Sequence, residues 1–174
     1  MVNQLNYPLF PAAKCPTGFT DFGGTCYKFH KDKQTWINAN AECLKEGAVL
    51  PAIGSRGENE FFKQGLLKDQ KGFTWLGFND RLAESMYMAV DGSQIRFMDW
   101  VNGQPTGKNQ NCVGFNNEAQ YGTMADYTCT TPSTYVCKKP LEGKMNFNKD
   151  RQLGLMLETI LNPLSSRIHK PSFW

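Results

Sequence analysis

The sequence predicts an α+β domain, and three observations carry that reading: two helix signals early in the chain, a series of short strands late, and six scattered cysteines. The cysteines are Cys15, Cys26, Cys43, Cys112, Cys129 and Cys137, an even set with no CxxC pair. His30 and His169 are the only imidazoles, so the regular spacing of a structural zinc site is missing. Free thiols in a reducing compartment stay open as an alternative. An even set without metal spacing favours three disulfides and an oxidising compartment.

The 174 residues leave room for one ordinary domain and are short for two. Hydrophobic residues make up 40% and charged residues 20%, the balance of a folded chain rather than a disordered one. The net charge of +3 comes from scattered Lys and Arg, without the basic stripe of a nucleic-acid reader. No stretch nears the ~20 apolar residues of a membrane span. Residues 1–13 lack the basic start and apolar run of a signal peptide, so a secreted chain would have lost its signal before this numbering begins.

Residues 1–14, punctuated by Pro8 and Pro11, read as a leader. In residues 19–29 two β-prone runs flank Gly23-Gly24, a hairpin pattern. Thr35 caps a helix whose Trp36, Ala39 and Cys43 share one face, and Gly47 stands where a left-handed C-cap belongs. Residues 48–53 read as a strand, and a second helix starts near Ser55 and runs through Leu67. Residues 73–78 form an apolar run of the buried-sheet kind. Turns and strand fragments follow to residue 111, then short strands at 111–115 and 135–138. From residue 139 the pattern changes: Leu153, Met156, Leu157, Ile160, Leu161 and Leu164 form an amphipathic stripe. Such a helix is marginal alone, so it docks on the domain, pairs with another chain as an oligomer contact, or meets a membrane surface.

These residues together resemble the C-type lectin-like family in its long form with three disulfides. The opening Cys15-Pro16-Thr17-Gly18-Phe19, then Cys26-Tyr27, the helix signature Trp36, Ala39 and Cys43, and the strand Trp75-Leu76-Gly77-Phe78 stand in the family's order. Trp100 precedes the long loop, and Cys112, Cys129 and Cys137 close the domain. The resemblance covers residues 15–138 and implies two helices, two small antiparallel sheets and a long loop region, with residues 139–174 as an extension. Sequence alone allows about 15 pairings of six cysteines. The resemblance implies Cys15–Cys26, Cys43–Cys137 and Cys112–Cys129.

Sugar-binding members of the family hold a calcium ion on the long loop, and calcium wants ~6–8 oxygens, several from carboxylates. The family's Glu-Pro-Asn or Gln-Pro-Asp tripeptide is Gln104-Pro105-Thr106 here, with Pro105 after a cis bond in the family. The acid before the closing cysteine aligns with Gln110, and the Trp-Asn-Asp motif is Met124-Ala125-Asp126. Asp126 alone remains, either as a calcium ligand or as an acceptor for loop amides. Asp80 and Glu84 match an auxiliary calcium site, but their loop partners Gly107 and Asn111 are neutral, and two acids on an exposed turn are ordinarily solvated. The expected cofactor set is none, or at most a weak structural calcium at Asp80, Glu84 or Asp126.

The leading expectation is a secreted, non-enzymatic recognition module that binds a protein or glycan without calcium. The candidate face is Asn102, Gln104, Thr106, Lys108, Asn109, Gln110, Asn116, Tyr121 and Asp126, with Asn117 and Gln120 beside it. Any of these amides also suits a loop that merely meets water. A calcium-dependent carbohydrate-binding lectin with a non-standard site is the alternative, followed by a structural, ice-binding or toxin-like variant. Catalysis needs a nucleophile–base pair or paired carboxylates in a cleft, and no such spacing is present.

Overall fold

Gly23 and Gly24 both adopt positive φ, which lets the chain reverse between β1 (Thr20–Phe22) and β2 (Thr25–Gln34). Asp21 Oδ1 accepts from Gly24 N at 2.9 Å and closes that turn. The computed structural model describes residues 14–118 and 120–141. The leader and the C-terminal stripe, with its expected chain pairing, lie outside the described residues.

Thr35 caps α1 (Trp36–Lys45) as its hydroxyl accepts from Asn38 N, and Gly47 leaves the helix at φ 67°. Trp36, Ala39 and Cys43 form its buried stripe. Residues 48–53 are not a strand. Only Val49 pairs, bridging Lys138, and the remaining polar groups are satisfied one at a time. Leu50 N donates to the Asn40 amide, while the Pro51 and Ala52 carbonyls accept from Gly77 N and Lys138 Nζ. Pro51 has no N–H to give a ladder, so the segment is an apolar connector that inserts Leu50, Ala52 and Ile53 into the core. Ser55 then caps α2 (Arg56–Phe61), which widens into one π turn over Phe62–Leu66.

β3 (Phe73–Asn79) is the axis of the molecule. It pairs antiparallel with the two-residue β4 (Met88–Ala89) and with β5 (Cys112–Asn116). β5 in turn pairs with β6 (Met124–Tyr127), a strand the sequence pattern did not announce. On the edge opposite β5, the one β4 also uses, β3 meets β7 (Ser133–Pro140) in a short parallel register, Thr74↔Thr134 and Trp75↔Tyr135. β7 also pairs antiparallel with β2. The two small sheets of the sequence expectation are thus joined into one mixed sheet of order β1-β2-β7-β3-β5-β6. The join is held by side chains: Thr74 and Thr134 hydroxyls lie 3.0 Å apart, and Ser133 and Thr134 both donate to the Phe73 carbonyl.

Because side chains alternate along a strand, β3 feeds two cores. Trp75 enters the cluster of Trp36, Ala39, Cys43, Leu50 and Tyr135, whereas Leu76 and Phe78 enter that of Ile53, Phe62, Val113, Phe115 and Val136. All three disulfides have the pairing that the resemblance implied, with Cα separations of 5.5, 5.3 and 5.1 Å. Cys43–Cys137 ties α1 to β7 across 94 residues, and each bridge stabilises by ~2–4 kcal/mol, the widest loop gaining most. The buried Glu58 carboxylate accepts from the Tyr27 hydroxyl at 2.6 Å and from Gly54 N at 2.8 Å. Burial and this partner push the Tyr27 phenol far above its usual pKa.

Gly77 leaves no room for a side chain, since a Cβ there would lie 2.4 Å from the Leu50 carbonyl oxygen. Gly77→Ala is expected to cost about 3 kcal/mol in chemical denaturation, the upper range of overpacking against backbone. His30 stacks on Tyr135 at 4.5 Å with its Nε2 3.6 Å from Glu46 Oε1. Burial holds the imidazole below its ordinary pKa, a lowering that Glu46 only partly offsets. Lys28 adds to the lowering, while Asp32 and Glu42 oppose it. The folded chain then binds this proton less readily than the unfolded one, so His30's contribution is full above about pH 6.5 and declines on acidification. Denaturation midpoints measured from about pH 7.5 down to about pH 5.5 should fall, and His30→Phe should flatten that slope.

Candidate functional site in the long loop

The long loop follows Trp100 and runs to residue 111, and its base is anchored by backbone bonds to β6. Met124 N donates to Asp99 O at 2.6 Å and Val101 N to Met124 O at 2.9 Å. The Cys112–Cys129 bridge pins the same end. Beyond this base the chain turns through a cis Gln104–Pro105 bond, and Gln104 Oε1 accepts from Thr106 N at 3.1 Å. Gly107, Lys108 and Asn109 all take positive φ, and this curl projects Lys108 and Asn109 into solvent. Asn102, Gln104, Thr106 and Gln110 are exposed or half-buried along the same stretch, so these six predicted residues share one loop. Gln120 joins them, its side-chain oxygen accepting from Asn102 N at 3.0 Å.

Asp126 sits beneath the curl, 0% exposed. Its Oδ1 accepts from the Thr106 hydroxyl at 3.1 Å and its Oδ2 from Gly107 N at 2.7 Å. Charge-assisted bonds of this kind are about twice as strong as neutral ones. Asp126 thus accepts two donors from the loop above it.

Asp80 is 1% exposed, which corrects the expectation that it stands on a solvated turn; Glu84 is exposed. Asp80 Oδ2 accepts from Ser85 N at 2.8 Å, and Asn111 Nδ2 donates to Asp80 Oδ1 at 3.1 Å and to Glu84 Oε2 at 3.4 Å. Both acceptors are carboxylates, so the amide presents its nitrogen to them. The Glu84 carboxylate in turn lies on Gly107, where an added Cβ would fall 2.3 Å from its Oε1. Gly107 thereby links the two acidic positions. Among the described residues no group of three or more His, Cys, Asp and Glu side chains is arranged to hold a metal ion.

Tyr87 was missed by sequence reasoning. It packs on Trp100 at 5.1 Å, and burial together with the charges of Asp80, Asp126 and Glu84 pushes its phenol far above the usual range. No spacing motif could have announced it, because a fold contact brings it there. Asn116 and Tyr121 face a different task. Asn116 is buried at the end of β5 with its side-chain oxygen on Glu118 N, and the Tyr121 hydroxyl meets the Lys63 and Leu67 carbonyls. Asn117 is likewise turned inward to Thr74. Tyr121 fastens the β5–β6 turn to the end of the second helix, Asn117 holds it to β3, and Asn116 bonds within the turn.

If Asp126 holds the loop, Asp126→Ala should speed hydrogen exchange at the Gly107 amide by about tenfold or more, the weight of one charge-assisted bond. Exchange measured by NMR that leaves Gly107 unchanged would remove Asp126 from this role.

Comparison with known proteins agrees with the geometry. The family model described as the lectin C-type domain matches residues 32–139. The galactose-specific lectin nattectin of Thalassophryne nattereri is 30% identical over 133 residues, covering 74% of this chain and 82% of nattectin. Among solved structures, the calcium-free form of a Ca2+-dependent type II antifreeze protein is 32% identical with a TM-score of 0.68, covering 72% of this chain and 99% of that one. Herring type II antifreeze protein is 29% identical with a TM-score of 0.69, covering 74% and 100%. The chain belongs to the C-type lectin domain family.

Proposed function

We propose that this domain is a non-enzymatic, extracellular recognition module that binds a glycan or protein through residues 102–110 without calcium. The observation that carries the reading is the pair of bonds on Asp126: the Thr106 hydroxyl and the Gly107 amide occupy both carboxylate oxygens, so the loop is shaped by its own donors. Asn111 does the same between Asp80 and Glu84, supplying N–H where a cation would supply charge. What faces outward is then a run of amides with one cation: Asn102, Gln104, Lys108, Asn109 and Gln110. Directional donors and acceptors of this type suit sugar hydroxyls or a polar protein surface. Three disulfides support an oxidising, extracellular setting.

One observation favours the second reading, a calcium-dependent lectin with a rebuilt site. Asp80 and Glu84 share the Asn111 amide, and Glu84 lies against Gly107, whose N–H bonds Asp126, so one stretch of loop links the three carboxylates. Calcium titration by calorimetry separates the two readings, as does a glycan array run beside a pull-down, each with and without EDTA. The proposal expects no calcium heat at millimolar concentration and binding that survives EDTA. It expects Asn109→Ala and Gln110→Ala each to weaken binding several-fold, by about 1 kcal/mol per lost bond. Binding abolished by EDTA would transfer the function to the calcium lectin.

A further inference from the structure

Every large hydrophobic side chain that is exposed among the described residues lies on one of two segments. Ile37 (51%) and Leu44 (59%) are on α1, and Leu82 (82%), Met86 (68%) and Met88 (43%) are on the stretch that joins β3 to β4. These segments face each other across a groove of about 400 Å³ whose lining includes Trp36 and Asn40 on one side and Arg81, Leu82 and Met88 on the other. Met88 also lines an adjoining concavity of about 370 Å³ with Tyr87, Ile95 and Gln94, so the depression continues past it. Its size is that of a site for a few side chains. It shares no lining residue with the loop set at 102–110.

Arg81 gives the groove a sign. Its guanidinium stands 5.7 Å over the Trp36 ring, and among the described residues it makes no ion pair. The ring holds the cation at the groove wall and leaves its N–H fork for a carboxylate. An unpaired arginine beside apolar walls is complementary to a chain that carries an acid next to an aliphatic side chain. Single exposed apolar residues need no explanation, but Leu82 and Met88, the two of this set that line the groove, stand together opposite Trp36 and mark an interaction surface.

We propose that this groove docks a protein partner through an acidic peptide segment in which a carboxylate adjoins one or two aliphatic side chains. The carboxylate pairs with Arg81, and the aliphatic groups lie between Leu82, Met88 and the α1 wall.

The test uses the full chain, isotopically labelled, and the capped peptides acetyl-Asp-Leu-Leu-amide, acetyl-Lys-Leu-Leu-amide and acetyl-Asp-Ser-Ser-amide at millimolar concentration. The first should shift the Trp36 indole and the Arg81, Leu82 and Met88 resonances most, the second with about two- to fivefold weaker affinity, and the third not at all. Arg81→Glu should weaken the acidic peptide by about two- to fivefold and favour the lysine peptide instead, the size set by one exposed ion pair. Leu82→Ser should weaken both leucine peptides while its spectrum stays folded. Equal shifts by all three peptides, no shifts, or an unchanged preference in Arg81→Glu would overturn the proposal. Light scattering that finds a dimer dissolved by Leu82→Asp would assign the groove to a second copy of the chain, and would overturn it as well.

Discussion

Strand β3 is buried on both faces, and the rest of the molecule is arranged around that constraint. A strand in this position must find apolar partners above and below and hydrogen-bond partners on both edges. Trp75 and Leu76 point into different cores, so α1 is held on one side and the second helix on the other. The edges are met by β7, β4 and β5, and the parallel contact with β7 fuses the terminal hairpin to the loop-bearing half. Gly77 lets the connector at Leu50 pass against the strand with no side chain between them. The Cys43–Cys137 and Cys112–Cys129 bridges then fasten what β3 has already brought together.

The long loop depends on this frame at one remove. Its base is bonded to Met124, which β5 positions, and β5 is aligned by β3. With the ends fixed, the curl at Gly107 to Asn109 needs only a few internal contacts to persist. Asp126 supplies two of them from below, and its buried charge makes each stronger than an exposed bond of the same geometry. The loop's polar tip is therefore carried by a rigid support, the arrangement in which surface amides retain a defined direction.

Much of this was legible in the sequence for a physical reason. Trp36, Ala39 and Cys43 follow the helical period, and two-sided burial leaves 73–78 as an unbroken apolar run. The Thr35 and Ser55 caps and the Gly23-Gly24 turn are local chemistry, and local chemistry shows in local sequence. Residues 48–53 misled because their apolar run serves a connector, with Pro51 denying it a ladder. β6 was silent because Met124-Ala125-Asp126-Tyr127 becomes a strand only through β5 and the loop base. Asp80 is bonded in its buried place by Asn111, 31 positions away, and Tyr87 meets Trp100 through the fold. Neither relation leaves a spacing in the chain.

The proposed loss of the cation changes what the loop is able to select. A bound calcium ion draws ligand oxygens by charge and tolerates varied approach, because its coordination geometry is flexible. Amides at Asn102, Gln104, Asn109 and Gln110 offer weaker bonds that depend on direction. Affinity then rests on several bonds formed together, and a ligand lacking one leaves a donor or acceptor unmet. Under the proposed reading, a loop built on neutral donors discriminates by matching positions, and the bonds at Asp126 and the Met124 anchor that hold the loop bear on that recognition.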